Sequence, residues 1–366
     1  MIRIMNQNTH IRKQITLILL STLSLTCCLN SCSKEQTALH AGFSSGVYIV
    51  NEGGFLKNNG SITYYDNDSL MICENLFSRV KGRDLGDVVQ SFSIAGDVGL
   101  IVVNNSQKIE VIDIETFVSL GIITGVDYPR YTLAVDDHKA YLTNGNYTGN
   151  VYIIDLNTFL ITGQIPVGKG PENLVRSMEY IYVANSGGWD YDYTVSVIDP
   201  ENDMVVQTIK VGDHPVDLAV DANFDVWVLC KGRIEYDADW NVVDESDSKL
   251  YKINAHKWEL ADSFTIGSKG DYFSPIRLAA SKDGAILYFV EADGIYKIDY
   301  QAVHGPEAAW IPGRYYGMEV DPDDGTIYAL KANGYDSKGK AYIYNSEGQL
   351  LDSIQTGIAP NGAAFR

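Results

Sequence analysis

Two groups of residues in this chain have the types and spacing that recognition chemistry requires. The first is aromatic: Trp189 and Tyr191 stand in Asn185-Ser186-Gly187-Gly188-Trp189-Asp190-Tyr191-Asp192-Tyr193, and Trp240 lies within the segment Lys231 to Ser248. Trp and Tyr offer a large contact area at low entropy cost, with a polar handle at the ring edge. Their Gly and Asp neighbours favour bent, solvated chain, so these rings are expected on display and not in a core. The second group is polar. Asn173, Asp217 and Arg277 occupy one slot, the residue before a recurring apolar position, in three copies of a repeat. Variation inside an otherwise regular phrase suits a ligand-lined funnel, and equally a water-filled channel.

Other candidate chemistry is thinner. His214 follows Asp213, but neighbours in sequence do not aim at one substrate atom. No nucleophile elbow or Gly-rich phosphate loop accompanies them. The chain therefore reads as a binder and not an enzyme, with a lyase- or lactonase-like carboxylate site as the alternative. Asp237 to Glu245 starts with EF-hand spacing, yet the sixth position is Val242 and the twelfth is Ser248, where Gly and Glu are needed. A solvated acidic loop is expected there. No Cys/His pattern suggests a metal, and Cys73 and Cys230 fall in well-separated repeats, so two buried thiols are expected.

The elements that must position these residues follow from a repeat of about 44 residues. Tyr182-Val183-Ala184-Asn185, Val197-Ile198-Asp199, Gln207-Thr208-Ile209-Lys210-Val211-Gly212 and Pro215-Val216-Asp217-Leu218 restate Tyr141-Leu142-Thr143-Asn144, Ile153-Ile154-Asp155, Gly163-Gln164-Ile165-Pro166-Val167-Gly168 and Pro171-Glu172-Asn173-Leu174. Four short apolar runs per unit, separated by turn residues, form the signature of a β-propeller blade. Second-strand signals recur at 47–51, 100–104, 140–144, 181–185, 226–230, 286–290 and 327–330. Third-strand signals recur at 62–66, 109–113, 151–155, 195–199, 250–254, 295–299 and 341–345. This predicts an all-β chain with one seven-bladed propeller over 46–366. Alternation in Thr194-Val195-Ser196-Val197 suits one packed and one less apolar face. The segment at Ala359-Pro360-Asn361-Gly362-Ala363-Ala364-Phe365 matches a first-strand phrase, while Val47–Asn51 has no first strand before it. The tail is therefore expected to complete the first blade.

That ring would carry two unlike faces. First-to-second connections are tight turns such as Ser281-Lys282-Asp283-Gly284, for which a structural role suffices. The opposite face gathers longer, aromatic loops. Its candidate ligand contacts are Phe55, Tyr128, Arg130, Tyr131, Asn173, Trp189, Tyr191, Asp217, Trp240, Tyr272, Phe273, Arg277, Arg314, Tyr315 and Tyr335. Loops on a rigid scaffold are where binding concentrates. For any one Tyr, capping of a blade interface is the competing explanation.

The N-terminal segment reads as an address. Arg3, Arg12 and Lys13 precede an apolar stretch, Ile15 to Leu29, that is short for a membrane span. Leu29-Asn30-Ser31-Cys32 resembles the lipobox of bacterial lipoproteins, which implies a signal peptide over 1–31, acylation of Cys32 and a tether over 32–45. Ser33-Lys34-Glu35-Gln36 resembles the export signal of Bacteroidetes-type surface lipoproteins, which implies an outer-membrane, cell-surface location. Without residues 1–31 the chain keeps 25 Lys and Arg against 47 Asp and Glu. Such a surface repels nucleic acid and anionic lipid, leaving the lipid anchor as the membrane contact.

The Tyr-Val-Ala-Asn and Val-Gly-x-x-Pro phrases resemble the YVTN repeats of YncE-like propellers. With the lipobox, Gly46-Val47-Tyr48-Ile49-Val50-Asn51-Glu52-Gly53 and Asn59-Gly60-Ser61-Ile62, the chain is most similar to the BtuG-like lipoproteins. That resemblance implies capture of cobalamin or another corrinoid, handed to a TonB-dependent outer-membrane transporter, with no cofactor required. Glycan, peptide or protein binding is the alternative.

Overall fold

A computed structural model of the chain describes residues 43, 45–267 and 276–366. The expected signal peptide over 1–31, Cys32, the expected tether before residue 45, Tyr272 and Phe273 lie outside the described residues.

The repeat becomes seven four-stranded antiparallel sheets. Blade 1 takes Val47–Asn51, Ser61–Asp66 and Met71–Cys73, plus Pro360–Phe365 from the tail. Blade 2 is Val89–Ala95, Val98–Val103, Lys108–Asp113 and Ser119–Ile123; blade 3 is Pro129–Ala134, Lys139–Asn144, Asn150–Asp155 and Leu160–Pro166. Blade 4 holds Pro171–Ser177, Tyr180–Asn185, Thr194–Asp199 and Met204–Lys210, and blade 5 holds Pro215–Val220, Val226–Cys230, Lys249–Asn254 and Glu259–Thr265. Blade 6 is Leu278–Ala280, Ile286–Glu291, Gly294–Asp299 and the two-residue Ile311–Pro312; blade 7 is Gly317–Val320, Ile327–Lys331, Lys338–Tyr344 and Leu350–Ile358. First strands touch in sequence around the ring, with Pro360–Phe365 lying between those of blades 7 and 2.

Side-chain alternation explains the packing, with one revision. Each sheet lies between two others, so its second strand is buried on both faces: Val47–Asn51 and Val226–Cys230 are buried throughout. Val195 and Val197 of blade 4 join Leu218, Val226 and Val228 of blade 5 in one core cluster. The less apolar face expected for Thr194–Asp199 is not solvated: Ser196 is buried and accepts a hydrogen bond from Asn185 Nδ2 at 3.0 Å. Outer strands alternate with solvent, as in Leu160–Pro166. Burying a large aliphatic side chain contributes about 1.5–3 kcal/mol, so these interfaces dominate stability.

Ring closure matches the expectation. Val47 pairs with Phe365, Tyr48 with Ala364, Ile49 with Ala363 and Val50 with Gly362. Gly46 and Arg366 then exchange backbone hydrogen bonds of 2.9 and 3.1 Å. The tail thus supplies the inner strand of blade 1, and Val47–Asn51 is paired along both edges. Cys73 and Cys230 are two buried thiols in blades 1 and 5, as expected.

Two elements escape the repeat. Leu76–Lys81 is a short helix, α1, that packs on Ser61–Asp66 of blade 1, buries Leu76 and Phe77 and stops at Gly82 in the left-handed region. Inside the long 231–248 segment, Arg233–Tyr236 pairs with Val242–Ser246 as a projecting hairpin.

Candidate functional site

Most of the polar residues at the channel mouth are placed by β-bulges. In blades 1 to 5 the first-strand register shifts where the strand begins: between Val89 and Ser91, Pro129 and Thr132, Pro171 and Leu174, Pro215 and Asp217, and at Asn361 opposite Val50 and Asn51. A bulge leaves residues out of the ladder and re-aims their side chains. Gln90, Arg130, Tyr131, Glu172, Asn173 and Asn361 sit at these places, and their side chains meet at the channel mouth.

There they form a network. Arg130 donates from Nη1 to Gln90 Oε1 at 2.5 Å and from Nε to Glu172 Oε2 at 2.8 Å. Gln90 Nε2 donates to the Tyr131 hydroxyl at 3.2 Å. Arg277 of blade 6 reaches Tyr131 of blade 3, its Nη1 donating to the same hydroxyl at 2.8 Å. Its Nε and Nη2 both donate to the Asn361 carbonyl, at 3.1 and 2.7 Å. Arg277 thus ties blades 1, 3 and 6 together across the axis. Asn173 Nδ2 donates to Asp217 Oδ1, while Asp217 Oδ2 accepts from the Leu278 amide at 2.9 Å. The slot shared by Asn173, Asp217 and Arg277 is one connected structure.

Burial sets the electrostatics. Desolvation raises the Asp217 carboxyl against the attraction of Arg277 and its hydrogen bonds. Desolvation lifts Glu319 to about 7, with Arg277 opposing and Asp217 reinforcing the shift. Glu52, also raised by desolvation, is hydrogen-bonded by the Tyr316 hydroxyl at 2.5 Å; Tyr335 donates to Tyr316 at 3.3 Å. For Arg277 the burial penalty is outweighed by Tyr131, Asp217 and Glu319, so the guanidinium stays charged. Glu52, Gln90, Glu172, Tyr316, Glu319 and Asn361 are absent from the residues expected from sequence. Arg130, Glu172 and Asn361 each follow a proline at a first-strand start, which was the available signal.

Around the mouth stands the aromatic rim. Trp189 is 70% exposed, with its ring 6.1 Å from Tyr128, and Arg130 lies 5.5 Å over the Tyr128 ring. The Trp189 loop is seated by glycines: a Cβ on Gly170 would stand 1.9 Å from the Gly188 nitrogen. Phe55, Trp240 and Tyr335 are exposed, as is Arg314. Two of the expected rim contacts are engaged within the fold. Tyr191 is partly buried, donates to the Ile234 carbonyl at 3.1 Å and braces the hairpin under Arg233. Tyr315 packs on the core between blades 6 and 7, its hydroxyl 3.1 Å from that of Tyr344.

His214 packs edge-on against Tyr191, with ring centroids 5.4 Å apart. Burial and Lys231 lower it to about 4, against the opposing pull of Asp213. Asp213 Oδ2 instead accepts from Ser246 at 2.7 Å and Arg233 at 3.3 Å. Asp237 accepts from the amides of Asp239 and Asn241, both at 2.9 Å, closing the hairpin turn. Among the described residues, no group of three or more His, Cys, Asp or Glu is placed to hold a metal. Two concavities, of about 540 and 330 Å³, lie on the opposite face where blades 3 and 4 meet, and both include Arg176, Pro200 and Glu201. Their cations are engaged: Lys139 holds the Pro200 carbonyl at 2.6 Å and Arg176 the Val135 carbonyl at 2.9 Å.

Residues 45–359 match the family described as a domain of unknown function, DUF5074. The chain belongs to the DUF5074 family. Solved structures agree with this DUF5074 propeller in fold. A quinonprotein alcohol dehydrogenase-like protein from Bacteroides thetaiotaomicron aligns with a TM-score of 0.65 at 14% identity, over 88% of this chain and 79% of that one. A functionally unknown protein from Desulfotomaculum acetoxidans aligns with a TM-score of 0.62 at 15% identity, over 88% and 99%. Hydrazine synthase from Kuenenia stuttgartiensis aligns with a TM-score of 0.59 at 16% identity, over 76% and 92%. No curated protein sequence matches the chain.

Proposed function

We propose that this DUF5074 propeller is a BtuG-like, YncE-related surface lipoprotein, anchored through Cys32, that captures a corrinoid on its loop face and passes it to a TonB-dependent transporter. The observation that carries the capture reading is the pairing of an exposed ring, Trp189 against Tyr128, with the braced polar mouth beside it. A corrin is a broad amphipathic disc edged with amides. It calls for flat apolar contact together with hydrogen-bonding groups held in place, and preorganisation of this kind reduces the entropic cost of binding. Capture of this kind uses no covalent step and no cofactor; the corrinoid itself is the bound ligand. The engagement of Asp213 with Arg233 and Ser246 supports binding over catalysis. Anchoring at Cys32 and an outer-membrane location rest on the lipobox resemblance and the charge that follows it.

Calorimetry of the purified protein with cyanocobalamin tests the reading. Saturable heat that falls on substitution of Trp189 is expected. No heat and no thermal shift at saturating ligand would remove the corrinoid.

A further inference from the structure

Blade 5 is complete without the hairpin it carries. Val226–Cys230 pairs directly with Lys249–Asn254, and Ser248 donates to the Lys231 carbonyl at 2.6 Å, so the insertion closes at its own base. An isolated two-stranded hairpin is marginal in water, yet this one is braced. Arg233 reaches Glu235, Asp244 at 2.6 Å and Asp213 at 3.3 Å, while the Tyr191 hydroxyl holds the Ile234 carbonyl. At the far end the Asp237 carboxylate locks the turn by accepting the Asp239 and Asn241 amides. Trp240 stands in that turn with φ at 64°, a left-handed angle that costs a residue with a side chain about 1–2 kcal/mol. Phe117 and Trp258 take similar angles in the turns between third and fourth strands, and there packing offsets the cost. Phe117 is fully buried, and Trp258 lies edge-on to Tyr180 at 4.9 Å. Trp240 is instead 82% exposed, with Tyr236 as its ring neighbour at 6.0 Å. Tyr236, Val242 and Val243 are each more than half exposed.

A rigid mount under an uncovered aromatic tip is the form of an interface anchor. Its surroundings decide what receives it. From Ile234 to Ser248 the chain carries six carboxylates, Glu235, Asp237, Asp239, Asp244, Glu245 and Asp247, and no Lys or Arg. Arg233, at the base, is already engaged by three of the surrounding carboxylates. An anionic bilayer would repel this tip, and a second copy would bring the same charge against it. We propose that the hairpin inserts Trp240 into an apolar pocket on a protein partner whose rim carries Lys and Arg. Trp240 and Tyr236 supply the contact area and receive cations on their ring faces. Asp239 and Asp247 steer the partner and fix its register. This surface is separate from ligand capture at the channel mouth, and neither depends on the other.

Photocrosslinking from the tip tests this. The full chain is produced in the organism that makes it, with a benzophenone amino acid at position 240. A second strain carries the same group at Val303, a 78% exposed position in blade 6. One protein is expected to crosslink from position 240 and not from 303, through a segment in which apolar residues are flanked by Lys or Arg. Asp239→Asn combined with Asp247→Asn leaves the locked turn and the Arg233 bonds in place. It should lower the crosslink yield at least about threefold, because rim charges govern association. Crosslinks to lipid or to a second copy, the same products from both positions, a partner segment lacking Lys and Arg, or no crosslink at all would overturn the proposal. With the crosslinked protein purified, Trp240→Ala should weaken its binding roughly tenfold or more, as for an aromatic anchor, with the thermal transition unchanged. Undiminished binding would refute the anchor. The heat of cyanocobalamin binding should be the same in Trp240→Ala as in the parent. Its loss would assign Trp240 to the ligand instead, whereas a parent that gives no heat removes only the corrinoid reading.

Discussion

The two faces of this ring spend the same residue types in opposite ways. On the turn face, charge is consumed inside the fold. Lys252 stands 2.8 Å from Asp221 and 3.4 Å from Asp225, donates to the Tyr300 carbonyl at 2.9 Å and lies 5.4 Å from the Trp227 ring. Trp227 is fully buried and donates its Nε1 to Asp221 at 2.9 Å. On the loop face Trp189 and Trp240 are 70% and 82% exposed, and polar groups gather round the axis instead of disappearing into an interface. A propeller can afford this asymmetry because its stability resides between blades. One face can then hold residues that contribute little to folding.

The comparison breaks most severely if the ring itself opens. Deleting residues 360–366 removes the inner strand of blade 1 together with Asn361, the group that anchors Arg277. Loss of a cooperative thermal transition is expected by calorimetry, and a normal melt would show that closure is dispensable.

A pair of substitutions sharpens the contrast between faces. Lys252→Met leaves Asp221 buried without its cation and should lower unfolding stability by about 3 kcal/mol in denaturant titration, with ligand affinity unchanged in the surviving fold. Trp189→Ala should do the reverse: stability within about 0.5 kcal/mol of the parent, as for an exposed site, and affinity for cyanocobalamin reduced roughly tenfold, as for loss of an aromatic anchor. Effects that track together would erase the division of labour.

A pH dependence is expected as well. Glu319 is lifted from 4.5 to about 7 in the folded protein, so the folded state holds a proton that the unfolded chain releases sooner. Its contribution to stability is complete below pH 4.5 and declines as the pH rises towards 7, with a slope of at most about 1.4 kcal/mol per pH unit. Glu319→Gln should flatten that portion of the stability profile. A slope unaltered by the substitution would place the proton elsewhere.

Much of the ring was legible because it repeats. Val226–Cys230 coincides with its expected second strand, and Val47–Asn51 finds its partner in the tail as the matching phrases required. The helix α1 was not legible, since six residues are too few to show a helical period. The hairpin lay hidden in a segment whose acidic spacing drew attention to calcium. In the site, the slot of Asn173, Asp217 and Arg277 was visible, but its connection to Asn361, Gln90 and Tyr131 was not.

Local patterns in the chain are enough to specify strands, turns, blade number and the closing tail, because each depends on neighbours in sequence or on a repeated phrase. Which polar residues meet depends on the ring: Arg277 and Tyr131 are 146 positions apart, and only closure of seven sheets around one axis brings them to 2.8 Å. Burial at that axis, a property of the assembled fold, then raises the carboxyls of Glu52, Asp217 and Glu319.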